Sequence, residues 1–259
     1  MNNDLIKKDY FKKIKLLQNC NKYYYEKSKP IFSDEEFDLL KRDIIDLENR
    51  YNFLGNKKSP TKSVGFKPSK NFQKVKHKVP MLSLGNAFNE EDVRSFEKKI
   101  VNFLSLKNID KIEYSAEPKI DGISASLIYV DGKFIRGLSR GDGKEGEDIT
   151  QNLKTIKDIP TTITAKNFPK EIDIRGEVFI ENNDFKKINK NFANPRNAAS
   201  GSLRQKNAAV TCKIPLKFIA YTYGYAENMN IKNQSDFLNN LKFWGFKINP
   251  LNKKIDDIK

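Results

Sequence analysis

Apolar positions follow a helical period through the first fifty residues and switch to strand alternation after about position 112. Leu5, Ile6, Phe11, Ile14, Leu17 and Cys20 keep a rough helical spacing, which predicts a helix broken at Lys29-Pro30. Ser33-Asp34-Glu35-Glu36 fits a capping box, and Phe37, Leu40, Ile44 and Leu47 give the helix that follows an apolar face. Residues 54–72, rich in Gly, Pro, Ser and Lys, read as a connecting loop. They divide the chain into a helical segment, 1–70, and a second domain, 71–259. Asn89 predicts the start of a helix running to about Leu106. Alternation then begins with Ile112, Tyr114 and Ala116 and continues through Ile123, Ala125, Leu127 and Tyr129. Val130-Asp131-Gly132-Lys133 predicts a type I′ hairpin turn, because Asp-Gly suits two positive φ angles. Residues 134–138 form the return strand. Further strands are expected at 171–180 and 216–225, and helices at 182–190, 195–206 and 235–244. Antiparallel hairpins mixed with helices predict an α+β fold. The polar tail from Leu251 to Lys259 offers no closing element and reads as an interruption.

Composition narrows the classes. With 38% hydrophobic, 11% aromatic and 31% charged residues, the chain has enough apolar material for a core, which excludes wholesale disorder. No apolar run reaches 18 residues, so no membrane-spanning helix is expected, and the lysine-rich first fifteen residues lack a secretory h-region. Cys20 and Cys212 stand alone and far apart. They make neither a disulfide framework nor a zinc site, and they fit a reducing cytoplasm. The single histidine, His77, excludes His-based metal clusters and Ser-His triads and reads as structural.

The net charge of +15 points to nucleic acid or another polyanion. However, 40 of the 48 basic residues are Lys, a bias that AT-rich codon usage produces without any ligand. Five of the eight arginines fall between Arg136 and Arg204, hinting that the middle of the chain handles phosphate.

Four stretches carry candidate chemistry. In Glu117-Pro118-Lys119-Ile120-Asp121-Gly122 a strand stops at proline and a lysine precedes an acid and a glycine. This fits either a covalent lysine nucleophile that a ligand can approach closely or a surface turn with a solvated lysine. Arg140-Gly141-Asp142-Gly143-Lys144-Glu145-Gly146 holds a literal GxGxxG, but its strand belongs to a hairpin and no βαβ unit follows. It reads as a flexible loop aiming Arg140 at a phosphate or ribose, or as an ordinary glycine turn. In Arg175-Gly176-Glu177-Val178 an acid sits among apolar strand residues, where burial is costly unless it is paired. It is either a ligand-binding Glu or an outward-facing one. Residues 192–205 open a helix after Pro195 with small residues and two arginines, Arg196 and Arg204, which suit phosphates or simple close packing.

Taken in order, these stretches resemble the adenylation region of the NAD-dependent bacterial DNA ligases. The resemblance extends over nearly the whole chain. It also takes in Tyr24-Tyr25, the 33–38 stretch, Ser59-Pro60-Thr61 and residues 77–84. It implies that Lys119, with Asp121 beside it, attacks the α-phosphate of NAD, releases nicotinamide mononucleotide and carries AMP. NAD is then a consumed substrate and Mg²⁺ its accompanying ion. Glu117, Ser83 and Leu84 would hold the adenine end, and Arg140 and Glu177 the AMP moiety. Tyr24, Tyr25, Asp34, Glu35, Glu36, Phe37 and Asp38 would hold the nicotinamide half. Arg196 and Arg204 would face phosphates or nicked double-stranded DNA, in replication and repair. Position 37 is Phe where the family usually has Tyr, and position 25 is Tyr where many members have His. The family's later DGVVxK strand and second lysine-bearing strand are absent, so this chain alone is expected not to seal nicks. Zinc is not expected, nor a membrane partner. A cytoplasmic monomer is. The alternative is a noncatalytic nucleotide- or nucleic-acid-binding relic of the same fold.

Overall fold

A computed structural model describes residues 3–25, 31–54, 59–62, 72–106, 112–188 and 192–256. The side chains of Lys22, Tyr24, Tyr25, Asp34 and Lys62 fall outside that description.

Two helices form the N-terminal part, α1 (Asn3–Tyr25) and α2 (Asp34–Arg50). The expected capping box forms: Glu36 N donates to Ser33 Oγ at 3.2 Å, and Ser33 N donates to Glu36 Oε2 at 2.8 Å. The helices pack through Ile6, Tyr10, Leu17, Ile44 and Leu54, with Phe37, Leu40 and Leu47 at the margin. The apolar stripe of α1 is narrower than the sequence suggested. Leu5 and Phe11 are exposed, while Tyr10 is buried and donates its hydroxyl to Glu48 Oε1 at 2.7 Å. A stripe through 6, 10, 14 and 17 follows the helical period, and positions 5 and 11 lie off it.

The rest is an α+β body. Its strands are β1 (Lys74–Lys76), β2 (Tyr114–Ala116), β3 (Ile123–Val130), β4 (Lys133–Ser139), β5 (Glu145–Glu147), β6 (Glu171–Phe179), β7 (Lys217–Ala226) and β8 (Lys253–Ile255). Its helices are α3 (Glu90–Leu104), α4 (Thr150–Leu153), α5 (Asn182–Phe185), α6 (Pro195–Leu203), α7 (Ala208–Thr211) and α8 (Gln234–Phe243). The main sheet runs β4-β3-β6-β7, all antiparallel. Two ribbons flank it, β1 with β5 and β2 with β8. Asp131 and Gly132 have φ of 48° and 73°, the double positive φ expected of the hairpin.

Three expected elements differ in the structure. Of the helix expected over 182–190, the described residues to 188 form only the four-residue α5, and α6 stops at Leu203. The tail contains a strand after all: β8 pairs with β2, Ser115 facing Lys254. Backbone pairing stabilises β8, so its polar side chains gave no alternation to read. β5 is likewise three residues held by β1.

The main core lies on one face of the sheet. Ala125, Leu127 and Tyr129 from β3 and Ile172, Ile174 and Val178 from β6 are fully buried there. Strand alternation therefore sends Asp173, Arg175 and Glu177 to the opposite face of β6. That face is covered too, so all three are buried charges. It is the face that builds the site.

Candidate active site

A cleft of about 1190 Å³ runs from the α1–α2 pair to the polar face of β6. It exceeds the range of roughly 300–1,000 Å³ usual for small-molecule sites. The loop after β2 supplies Glu117 and Lys119 to its wall. Gly122 lets this loop lie directly on β6, since a Cβ there would fall 2.3 Å from the Val178 carbonyl oxygen and 2.9 Å from Glu177 Cγ. Lys119 is thereby carried to Glu177. Register pairs Ser124 with Glu177, and Ser124 Oγ donates to Glu177 Oε2 at 3.0 Å.

Glu177 is 8% exposed, and burial raises its pKa above the ordinary 4.5. The Ser124 hydroxyl and the charges of Arg196, Lys119 and Arg140 pull the other way without cancelling it. One buried carboxylate thus sits among three cations that all line the cleft. A cluster of this kind binds a phosphate well, because the cations neutralise it and the carboxylate fixes their geometry.

The second wall is the segment Met81 to Gly85. Arg175 pairs with Asp173 at 3.0 Å and donates to the carbonyls of Val79 and Pro80, which ties this segment to β6. The glycine-rich turn between β4 and β5 ties it from the other side. His77 N donates to Lys144 O at 2.9 Å, and Met81 N donates to Gly143 O at 2.8 Å. Gly141 and Gly143 have φ of 59° and 88°, so the glycines serve a tight turn. The loop expected to be flexible is therefore pinned to the wall, and its GxGxxG is a turn signature. His77 is buried with Nε2 3.2 Å from Arg140 O, and burial lowers its pKa, in keeping with a structural role.

From α1 and α2 the cleft receives Leu17, Cys20, Phe37, Asp38, Lys41, Arg42 and Asp46 among others. Arg42 reaches across to the body. Its guanidinium lies 5.0 Å from the Phe88 ring centroid, and Nη1 lies 3.7 Å from Asp92 Oδ2.

Nine expected site residues meet in this one cleft: Phe37, Asp38, Ser83, Leu84, Glu117, Lys119, Arg140, Glu177 and Arg196. Asp121 is not in the lining; it pairs with Arg196 at 3.0 Å. Glu35 and Glu36 lie outside it, Glu36 being engaged in the capping box. Arg204 also lies outside, its Nε 3.1 Å from the fully buried Glu147 carboxylate. The side chains of Tyr24, Tyr25 and Asp34 fall outside the described residues. Tyr221 and Gln234 also line the cleft, and no local pattern marks either. Tyr221 sits on β7, where burial and the nearby Glu177 push its phenol up to about 12. Gln234 is merely the first residue of α8.

Among the described residues no helix is long and apolar enough to cross a membrane. Residues 69–259 match the family described as NAD-dependent DNA ligase adenylation domain, and residues 5–65 match the DNA ligase-like, N-terminal NAD+-binding domain. A DNA ligase of Pelagibacter ubique is 76% identical over 259 residues, covering 100% of this chain and 38% of that protein. A DNA ligase of Parvibaculum lavamentivorans is 47% identical over 251 residues, covering 94% of this chain and 35% of that protein. The chain thus spans little more than a third of the length of the curated relatives it matches.

Proposed function

The chain belongs to the NAD-dependent DNA ligase adenylation-domain family, and from that premise we propose that it catalyses the transfer of AMP from NAD to its own Lys119. The Lys119 amine attacks the adenylyl phosphorus. A P–N bond forms, the P–O bond to nicotinamide mononucleotide breaks, and that mononucleotide leaves with the bond's electron pair. Arg140 and Arg196 neutralise the phosphates, and Glu177 holds the arginines and the ribose end. Glu117, Ser83 and Leu84 hold the adenine. Phe37 and Asp38, with Tyr24, Tyr25, Asp34, Glu35 and Glu36, take the nicotinamide half on the helical segment 1–70, while 71–259 carries the chemistry.

The observation that carries this reading is the shared cleft. Lys119, Arg140, Glu177 and Arg196 stand together in it, and Phe37 and Asp38 line the same space. Phosphoryl transfer depends mainly on positioning and charge neutralisation, which such a cluster supplies. Mg²⁺ belongs to the reading as the ion accompanying the dinucleotide phosphates. Among the described residues there is no group of three acidic, His or Cys side chains suited to a protein-made cage. In a longer protein the AMP would pass to nicked DNA, with Arg196 and Arg204 on the phosphates, in a cytoplasmic monomer serving replication and repair.

Intact-protein mass spectrometry after incubation with NAD and Mg²⁺, beside ATP and a Lys119→Ala variant, tests the proposal. A gain of one adenylyl group with NAD only, lost in the variant, is expected. No gain in a folded protein that still binds NAD would overturn it in favour of a noncatalytic binding module.

A further inference from the structure

Two side chains outside the motifs converge on one oxygen of Glu117. Ser115 Oγ donates to Glu117 Oε1 at 2.9 Å, and Gln234 Nε2 donates to the same oxygen at 2.8 Å. Gln234 Nε2 also donates to the main-chain oxygen of Tyr221 at 2.7 Å. Both acceptors lack a hydrogen to give, so the Gln234 amide has one orientation that satisfies the pair. Its anchorage is firm. Gln234 opens α8, whose N-cap Asn233 accepts from Asp236 N at 2.9 Å. All four groups line the cleft.

This arrangement has a consequence for what Glu117 can recognise. With Oε1 taken by two donors, the carboxylate is fixed as an acceptor, and Oε2 is the oxygen left for a ligand. The purine edge that faces Oε2 must then present a donor there, as the 6-position of adenine can. Adenine does so with an amine, whereas hypoxanthine presents a carbonyl that would meet the carboxylate with like partial charge. Mispairing a site built for a hydrogen bond is penalised more heavily than loss of a methylene.

We propose that Gln234, assisted by Ser115, is a positioning residue that sets the purine specificity of this site by holding Glu117 for an exocyclic amine. The proposal rests on the reading that Glu117 meets the adenine end of NAD. Titration calorimetry of the whole chain with NAD and with nicotinamide hypoxanthine dinucleotide, which differ at that 6-position, tests it. The unaltered chain prefers NAD. Gln234→Leu is expected to weaken NAD about tenfold and the hypoxanthine analogue little, so the preference shrinks. Ser115→Ala acts in the same direction, and Ser115→Thr, which keeps the hydroxyl, restores the preference. A general packing defect would instead weaken both dinucleotides alike. Glu117→Gln is expected to abolish the preference, because an amide can turn either its N–H or its oxygen to the base. If Glu117→Gln removes the preference while Gln234→Leu and Ser115→Ala keep it, the positioning role is overturned. If Glu117→Gln keeps it as well, the adenine-end reading falls, and the positioning role falls with it.

Discussion

Glu177 and His77 are buried titratable groups whose shifts act on stability in opposite directions. The Glu177 pKa is raised, chiefly by burial. Below the ordinary value of 4.5 both folded and unfolded chains hold the proton. Between that value and the raised one the unfolded chain loses its proton first, so stability falls as pH rises, and the deficit persists at neutral pH. Glu177→Gln should therefore raise the melting temperature at pH 7, with the gain vanishing in acid. The same change should slow adenylyl transfer on the order of 100-fold, since it removes a preorganised charge. Thermal melts at two pH values beside intact-mass kinetics check both halves. His77 is the reverse case, lowered mainly by burial, with Nδ1 lacking a partner among the described residues. Its contribution is present above the ordinary 6.5 and is lost as pH falls through the lower folded value. Urea midpoints from pH 8 to pH 5 should drop in the unaltered chain and drop less in His77→Leu.

At the scale of elements, the approach of the Lys119 loop to β6 depends on Gly122. Gly122→Ala would drive a Cβ into the Val178 carbonyl. The expected result is a destabilisation of about 1–3 kcal/mol and a displaced Lys119. Circular-dichroism melts and the rate of AMP attachment would register the two effects separately. Long elements with regular spacing were legible in the sequence: the capping box at Ser33, the Asp131-Gly132 turn, and β3 with its buried Ala125, Leu127 and Tyr129. The motif residues that meet in the candidate site, Lys119, Arg140 and Glu177, stood out as well, because they lie on or beside such elements. Elements held by pairing alone were not. β5 and β8 are three residues each and polar, and their partners are distant in sequence. Gln234 was invisible for a related reason: a glutamine opening a helix looks the same whether its amide meets water or Glu117. The role of Arg204 also turns on a partner, Glu147, that no local pattern announces.

For the whole molecule, the bridge made by Arg42 to Phe88 and Asp92 joins the helical segment to the body across the cleft. Exposed ion pairs and cation–π contacts are each modest, so Arg42→Ala should weaken NAD binding only about threefold. Binding of AMP alone should be unchanged if the helical segment serves the nicotinamide half, and parallel calorimetric titrations would show this. The two hydrophobic clusters carry a different consequence. Among the described residues the one around Tyr10 and Ile44 shares no member with the one around Tyr129 and Phe218. Heat absorption on unfolding should therefore split into a small early peak and a large late one, since each cluster can melt without exposing the other. A dinucleotide spanning the cleft would draw the peaks together, because leaving the native state would then cost both halves the same ligand.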